Sequence, residues 1–277
     1  MPKIITKTVF ILFGASVISA AVLRCFQLFT LTDTSTGFIA EKASGTVTAF
    51  YILCALSVAF CGIAFSNKLT PFQPFDGRKS KPLFYTCLVS GAAMFYDFVY
   101  QCISCYKYLA RNPYIELNYL IPMLLAGIAA LFCTFYFIVM GISFVTDKYD
   151  FRRLRFLHLA LVIRFLLVLF TRFTRYDDGF LAEENILFYA VLLMGILFSI
   201  AFIGCVDGNS AKLRTLCFSG MAYAALSFLL SVPRMIAFVA GAQINGSAFS
   251  TVSYLFTGIF AAVLTAEAFR KDKSIEV

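Results

Sequence analysis

The sequence predicts an all-α fold: a polytopic integral membrane bundle of eight transmembrane helices, arranged as two parallel four-helix repeats. Three observations lead there. Apolar runs long enough to cross a bilayer recur eight times, positive charge gathers in alternate connections, and one phrase of sequence returns 142 positions later. Of 277 residues, 61% are hydrophobic and only 14% charged, against about 45–50% and about 25% in soluble domains. A water-soluble fold could not bury so much apolar surface. The 33 Phe and 14 Tyr lie along continuous runs, which excludes the alternating strands of a transmembrane barrel.

A crossing helix needs about 20 apolar residues. The first candidate, 8–31, follows Lys3 and Lys7 and contains Arg24 and Gln27. Its apolar run continues past any cleavage point near Ser19–Ala21, so it reads as a retained span and not a signal peptide. The second is 46–66. The third, 82–106, carries Asp97 and the pair Cys102 and Cys105, and the fourth is 119–145. The fifth, 156–173, holds His158 and Arg164, and the sixth is 186–206. The seventh, 214–240, contains Pro233 followed by Arg234, and the missing proline N–H predicts a kink there. The eighth, 250–269, ends with Glu267 reaching toward the headgroups. The connections are too short to fold into a soluble domain, so function must lie within the bundle or on its rims.

Short cytoplasmic loops collect Lys and Arg. With the N-terminus inside, the inner segments hold fifteen: Lys3, Lys7, Lys68, Arg78, Lys79, Lys81, Lys148, Arg152, Arg153, Arg155, Lys212, Arg214, Arg270, Lys271 and Lys273. The outer segments hold five: Lys42, Lys107, Arg111, Arg172 and Arg175. This alternation predicts a plasma-membrane protein with both termini cytoplasmic. It also accounts for most of the net charge of +8 without a nucleic-acid partner, the natural partner of that rim being membrane lipid.

Gly37-Phe38-Ile39-Ala40-Glu41 aligns with Gly179-Phe180-Leu181-Ala182-Glu183, and Ser57 to Gly62 aligns with Ser199 to Gly204. Eight of these 26 ungapped positions are identical. At an offset near 130, Thr86, Ser90 and Gly91 meet Thr215, Ser219 and Gly220, while Leu124, Gly127, Ile128 and Ala130 meet Leu255, Gly258, Ile259 and Ala261. The sequence therefore divides into repeats at 1–146 and 147–277. Four crossings return the chain to its starting side, so both copies insert alike. The Gly-Phe phrase itself reads as a tight reversal between spans.

The intramembrane charges are the candidate functional groups. An Arg or Asp at a helix centre costs about 2.5–3.5 kcal/mol on insertion scales. At about 1.5 Å per residue, Arg24 lies about 25 Å from Lys7, Asp97 about 24 Å from Lys81, Arg234 about 30 Å from Arg214 and Arg164 about 14 Å from Arg155. Those depths predict an Arg24–Asp97 pair, with Gln27 in the same network and more cationic than anionic groups nearby. The functional reading is a cavity in which Arg164, Arg234, Arg24, Asp97 and Gln27 contact a small polar or anionic substrate. The structural reading has Arg24 and Arg234 reaching the outer headgroups and Asp97 tying helices together, with Arg164 the deepest of the three arginines.

The other motifs carry less. The Cys102–Cys105 spacing suits a metal or redox pair but has no second pair beside it. His158 is the only histidine and cannot build a metal site alone. Asp177, Asp178, Glu183 and Glu184 read as a solvated rim, and the Gly204–Gly208 spacing as helix contact. No phosphate loop, dinucleotide fingerprint, HExxH or nucleophile triad is present, so neither a cofactor nor an enzyme activity is expected. Transport of a small polar or anionic solute leads. The alternative is a non-catalytic membrane subunit or scaffold, bound to partner subunits or to a second copy of the chain. A third reading, an enzyme acting on a lipid-linked substrate, would depend on Asp97 or His158.

Overall fold

The computed structural model describes residues 2–31, 44–66, 80–111, 117–146, 155–174, 182–207, 212–241 and 251–269. They form α1 (Pro2–Phe26), which continues as a π-helical turn at Gln27–Leu31, then α2 (Ser44–Ser66), α3 (Lys81–Arg111), α4 (Leu117–Val145), α5 (Arg155–Thr174), α6 (Ala182–Val206), α7 (Lys212–Val239) and α8 (Val252–Phe269). Each coincides with a predicted span, and seven are long and apolar enough to cross a membrane, α8 being the shorter apolar one. The protein is a helical membrane bundle. The Gly-Phe phrases at 37–38 and 179–180, Asp177, Asp178 and Gly208 lie outside the described residues, as do the side chains of Glu183 and Glu184.

Local chemistry sets the ends. At the start of α3, the Ser80 Oγ accepts from the Leu83 N–H at 3.5 Å, while the Ser80 N–H donates to the Phe144 carbonyl at the end of α4 at 3.1 Å. A serine cap followed by Pro82 in the first turn suits a helix start. α7 runs on past Pro233 to Val239.

Neighbours in sequence are neighbours in space from α3 onward. α3 to α8 form a ring, each helix packing on the next, and α8 closes it against α3. Paired positions run in opposite senses around the ring: Gly127 beside Gln101 and Gly141 beside Cys87, Phe173 against Tyr189 and His158 against Phe202, Ser231 bonded to Thr251 and Gly220 beside Thr265. Successive ring helices are therefore antiparallel. We call upper the face on which α3, α5 and α7 end and α8 begins. α1 and α2 pair with each other and lean on α7 from outside the ring.

Small residues explain why α7 can serve so many neighbours. Ser219, Gly220, Ala222, Ala225, Ser227 and Ser231 are all buried, and side chains this short let backbones approach closely. The Cys61 Sγ donates to the Phe218 carbonyl at 3.4 Å, and the Ser231 Oγ to the Thr251 carbonyl at 2.9 Å. A methyl added at Gly258 would overlap the Ser227 Oγ.

The two halves make similar contacts at the positions that align in sequence. Gly91 sits against Thr134 of α4 as Gly220 sits against Thr265 of α8, and Gly127 and Gly258 each press on the preceding helix. The two halves differ in the placement of their first two helices: α5 and α6 belong to the ring, whereas α1 and α2 pair with each other outside it and lean on α7.

Aromatic rings fill the ring's interior. Phe188, Tyr254, Phe165, Tyr223, Phe198, Phe202, His158 and Tyr136 follow one another from the upper toward the lower face, with successive centroids 5.0–6.4 Å apart. Offset and edge-on pairs of this kind contribute about 0.5–1.5 kcal/mol each beyond their buried area.

Candidate functional site

Near the upper end of that column α3, α5 and α8 bring one acid and one base together. The Arg164 Nη2 donates to the Asp97 Oδ2 in a buried salt bridge. The Ser253 Oγ, in the first turn of α8, donates to the same carboxylate oxygen at 3.4 Å. Arg164 is 2% exposed and Asp97 5%.

The expected Arg24–Asp97 pair is not formed. α1 packs on α2 and α7, so Arg24 is directed to a different interface from Asp97. The Arg24 Nη1 instead donates to the Gln27 Oε1 at 3.1 Å, and the Gln27 Nε2 to the Thr46 Oγ1 at 3.3 Å. The Arg24 guanidinium also lies 5.5 Å from the centroid of the Phe50 ring. The expectation that Gln27 shares Arg24's network is met. Gln27 opens the π-helical turn, and such turns are frequent at functional sites. Arg234 is buried near the end of α7 and bonds to neither Asp97 nor Arg164. The five candidates thus separate: Asp97 with Arg164 inside the ring beside the first turn of α8, Arg24 with Gln27 between α1 and α2, and Arg234 apart from the ion pair.

Charge bookkeeping around Asp97 is simple. Cys133 of α4 and Tyr254 of α8 lie close enough to feel both charges, the Tyr254 hydroxyl within reach of the Arg164 guanidinium itself, and Tyr223 of α7 lies close enough to feel that of Arg164. The Tyr223 hydroxyl shares a 2.6 Å hydrogen bond with Thr257. Further up α5, Arg172 lies over the Phe188 ring of α6 at 4.8 Å. The pair is neutral as a unit, which is what permits burial, since a lone charge in low dielectric costs several kcal/mol.

The guanidinium is only partly satisfied. Among the described residues, the buried Nε and Nη1 of Arg164 have no hydrogen-bond partner. Buried donors are almost always bonded, and one left empty costs about 1–3 kcal/mol, more when charged. Arg164 therefore offers two donors to any acceptor that reaches it, on a group that already holds one carboxylate.

A second polar cluster lies toward the lower face. The His158 Nδ1 and the Tyr136 hydroxyl are 2.9 Å apart, both groups are buried, and the rings meet edge-on. On α3, Cys102 is exposed and Cys105 buried. Among the described residues no three His, Cys, Asp or Glu side chains gather to hold a metal ion.

Ser253, Thr257 and Tyr254 are site residues that the charge-based reading passed over. A signal existed: Ser253, Thr257, Ala261 and Thr265 repeat every four residues and mark one small, polar face of α8, all of it buried. No family model matches the chain, and neither a curated protein nor a solved structure is similar to it.

Proposed function

We propose that the chain is a non-enzymatic, permease-like protein that moves a small polar or anionic solute, and that Arg164 is the group receiving it. One observation carries the reading: Arg164 is 2% exposed, gives one nitrogen to Asp97 and keeps two donors empty among the described residues. A solute acceptor that filled them would remove a standing energetic cost, and that is a source of binding energy. The solute enters from the upper face and meets the pair where Ser253, in the first turn of α8, donates to Asp97. Onward passage requires Phe165, Tyr254 and Tyr223 to repack, so binding and movement are coupled through the aromatic column.

The same reading keeps both termini cytoplasmic in the plasma membrane and derives the chain from a duplicated four-helix unit. The alternating Lys and Arg support the first, and the matched contacts of Gly91 with Gly220 and Gly127 with Gly258 support the second. The test is uptake by proteoliposomes offered radiolabelled lactate, gluconate, glutamate, phosphate and glucose in turn. Wild-type vesicles should accumulate at least one of these. Arg164→Gln should abolish that uptake, and Arg111→Gln, at an exposed position on α3, should preserve it. Wild-type vesicles that match empty ones for every probe would end the reading.

The rival, a non-catalytic subunit or scaffold, draws on the rings that occupy the interior of the bundle. It predicts that gentle solubilisation recovers the chain with a stoichiometric membrane partner. Transport predicts the chain alone or as a homo-oligomer.

A further inference from the structure

We infer that this site takes a monovalent carboxylate together with one proton, and that Asp97 is where the proton resides. The inference rests on the permease reading and goes beyond it in naming the substrate class and the coupling ion.

Charge balance leads to it. At rest the site is neutral, one guanidinium against one carboxylate, with both groups at least nine-tenths buried. Among the described residues, the polar groups near Asp97 and Arg164 on neighbouring helices are Cys133 on α4, Tyr223 on α7, and Ser253 and Tyr254 on α8. On its own helix Asp97 has Tyr96 next to it. Further along α5, among the described residues, Arg172 adds charge, acting on Tyr254 and packed on Phe188 of α6. Among the described residues none of these neighbours carries a second negative charge.

A carboxylate that arrives as an anion therefore turns a neutral site into one of net charge −1. A solute that takes the Nε and Nη1 donors beside Asp97 produces this result, and so does one that displaces Asp97 from Nη2. In the second case Asp97 is left without a cation among its described neighbours Ser253, Tyr254, Cys133 and Tyr96, and a bare carboxylate at that depth costs several kcal/mol. A proton on Asp97 removes the excess in both cases. The exchange balances: the solute anion and one proton enter, the Asp97 carboxylate becomes a carboxylic acid, and Arg164 transfers its ion pairing to the solute. When the solute leaves, the proton leaves and the Asp97–Arg164 pair re-forms. The same sum limits the substrate's charge. Once Asp97 is neutral, Arg164 balances one negative charge, so a dianion is excluded. The chemical class follows from what the guanidinium already holds, since Asp97 is a carboxylate occupying the place that the solute's carboxylate would take.

The test is isothermal titration of the purified full-length protein at pH 7 with lactate, gluconate, succinate and phosphate, each in two buffers of different ionisation enthalpy. The expected result is binding of a monocarboxylate probe with uptake of about one proton per anion, and affinity falling about tenfold per pH unit on the alkaline side. Succinate should not bind as the dianion. Asp97→Asn should bind the same probe without proton uptake and without that pH slope, whereas Arg164→Gln should not bind. The buffer comparison needs only the wild type, so it decides even if Asp97→Asn does not fold. Binding with no proton taken up, a proton uptake that survives in a folded Asp97→Asn, or equal binding of succinate would overturn the coupling and leave the permease reading standing. Absence of binding and of vesicle uptake for every probe would remove both.

Discussion

Replacing Asp97 by Asn is the most informative single perturbation of the fold. The amide keeps the size of the side chain and an acceptor for Arg164 and Ser253, so the change removes charge and little else. It leaves a cation that is 2% exposed without its counter-ion. Breaking a buried pair from one side costs about 3–5 kcal/mol. At about 2–3 °C per kcal/mol for a chain of this size, the melting temperature should fall by roughly 6–15 °C. The assay is built in, because Cys87, Cys133 and Cys217 are fully buried and become reactive toward a thiol dye only on unfolding. Arg164→Gln should cost a similar amount, since it strands the carboxylate instead. The double variant Asp97→Asn with Arg164→Gln should recover at least half of the loss, because neither residual group is charged. A single Asp97→Asn variant as stable as the wild type, or a double variant no better than the worse single one, would refute the claim that the ion pair links α3 to α5.

Three further outcomes follow from the packing. Gly258→Ala should destabilise by about 1–3 kcal/mol through overlap with the Ser227 Oγ, and adding Ser227→Ala should recover most of it, leaving a methyl 3.1 Å from the remaining Cβ; the thiol-dye melting curve reads both. Gly127→Ala, whose added carbon would meet the Gln101 Cβ at 3.3 Å, should cost less than Gly258→Ala by the same assay. Tyr136→Phe should cost about 1–2 kcal/mol by removing the hydroxyl bonded to the His158 Nδ1, and combining it with His158→Phe should cost less than the sum of the two single changes.

The fold was legible because a bilayer imposes a simple rule on sequence. Apolar runs of the right length marked all eight helices. The site was legible in its members and not in its pairing. Measured from Lys81 and Arg155, Asp97 and Arg164 were placed about 10 Å apart in depth. That comparison assumes helices that start level, yet α3 has 31 residues and α5 has 20. The register that makes them partners comes from packing: α4 sits between α3 and α5, and the Ser80–Phe144 bond fixes how far α3 stands against α4. Arg24 was matched to Asp97 because depth alone carries no information on which helices adjoin. The His158–Tyr136 bond has the same origin, two residues on successive helices that meet only once α4 and α5 pack.

The account depends most on the Nε and Nη1 of Arg164, which have no hydrogen-bond partner among the described residues. The measurement that reaches them directly is the side-chain Nε–H resonance of arginine in 15N-labelled protein, with the Arg164 signal identified by its loss in Arg164→Gln. Adding gluconate or lactate near pH 6 should shift that signal saturably, and the Asp97→Asn variant should show the shift at higher pH as well. An Arg164 Nε–H signal that stays in place at saturating concentrations of every probe would contradict the account.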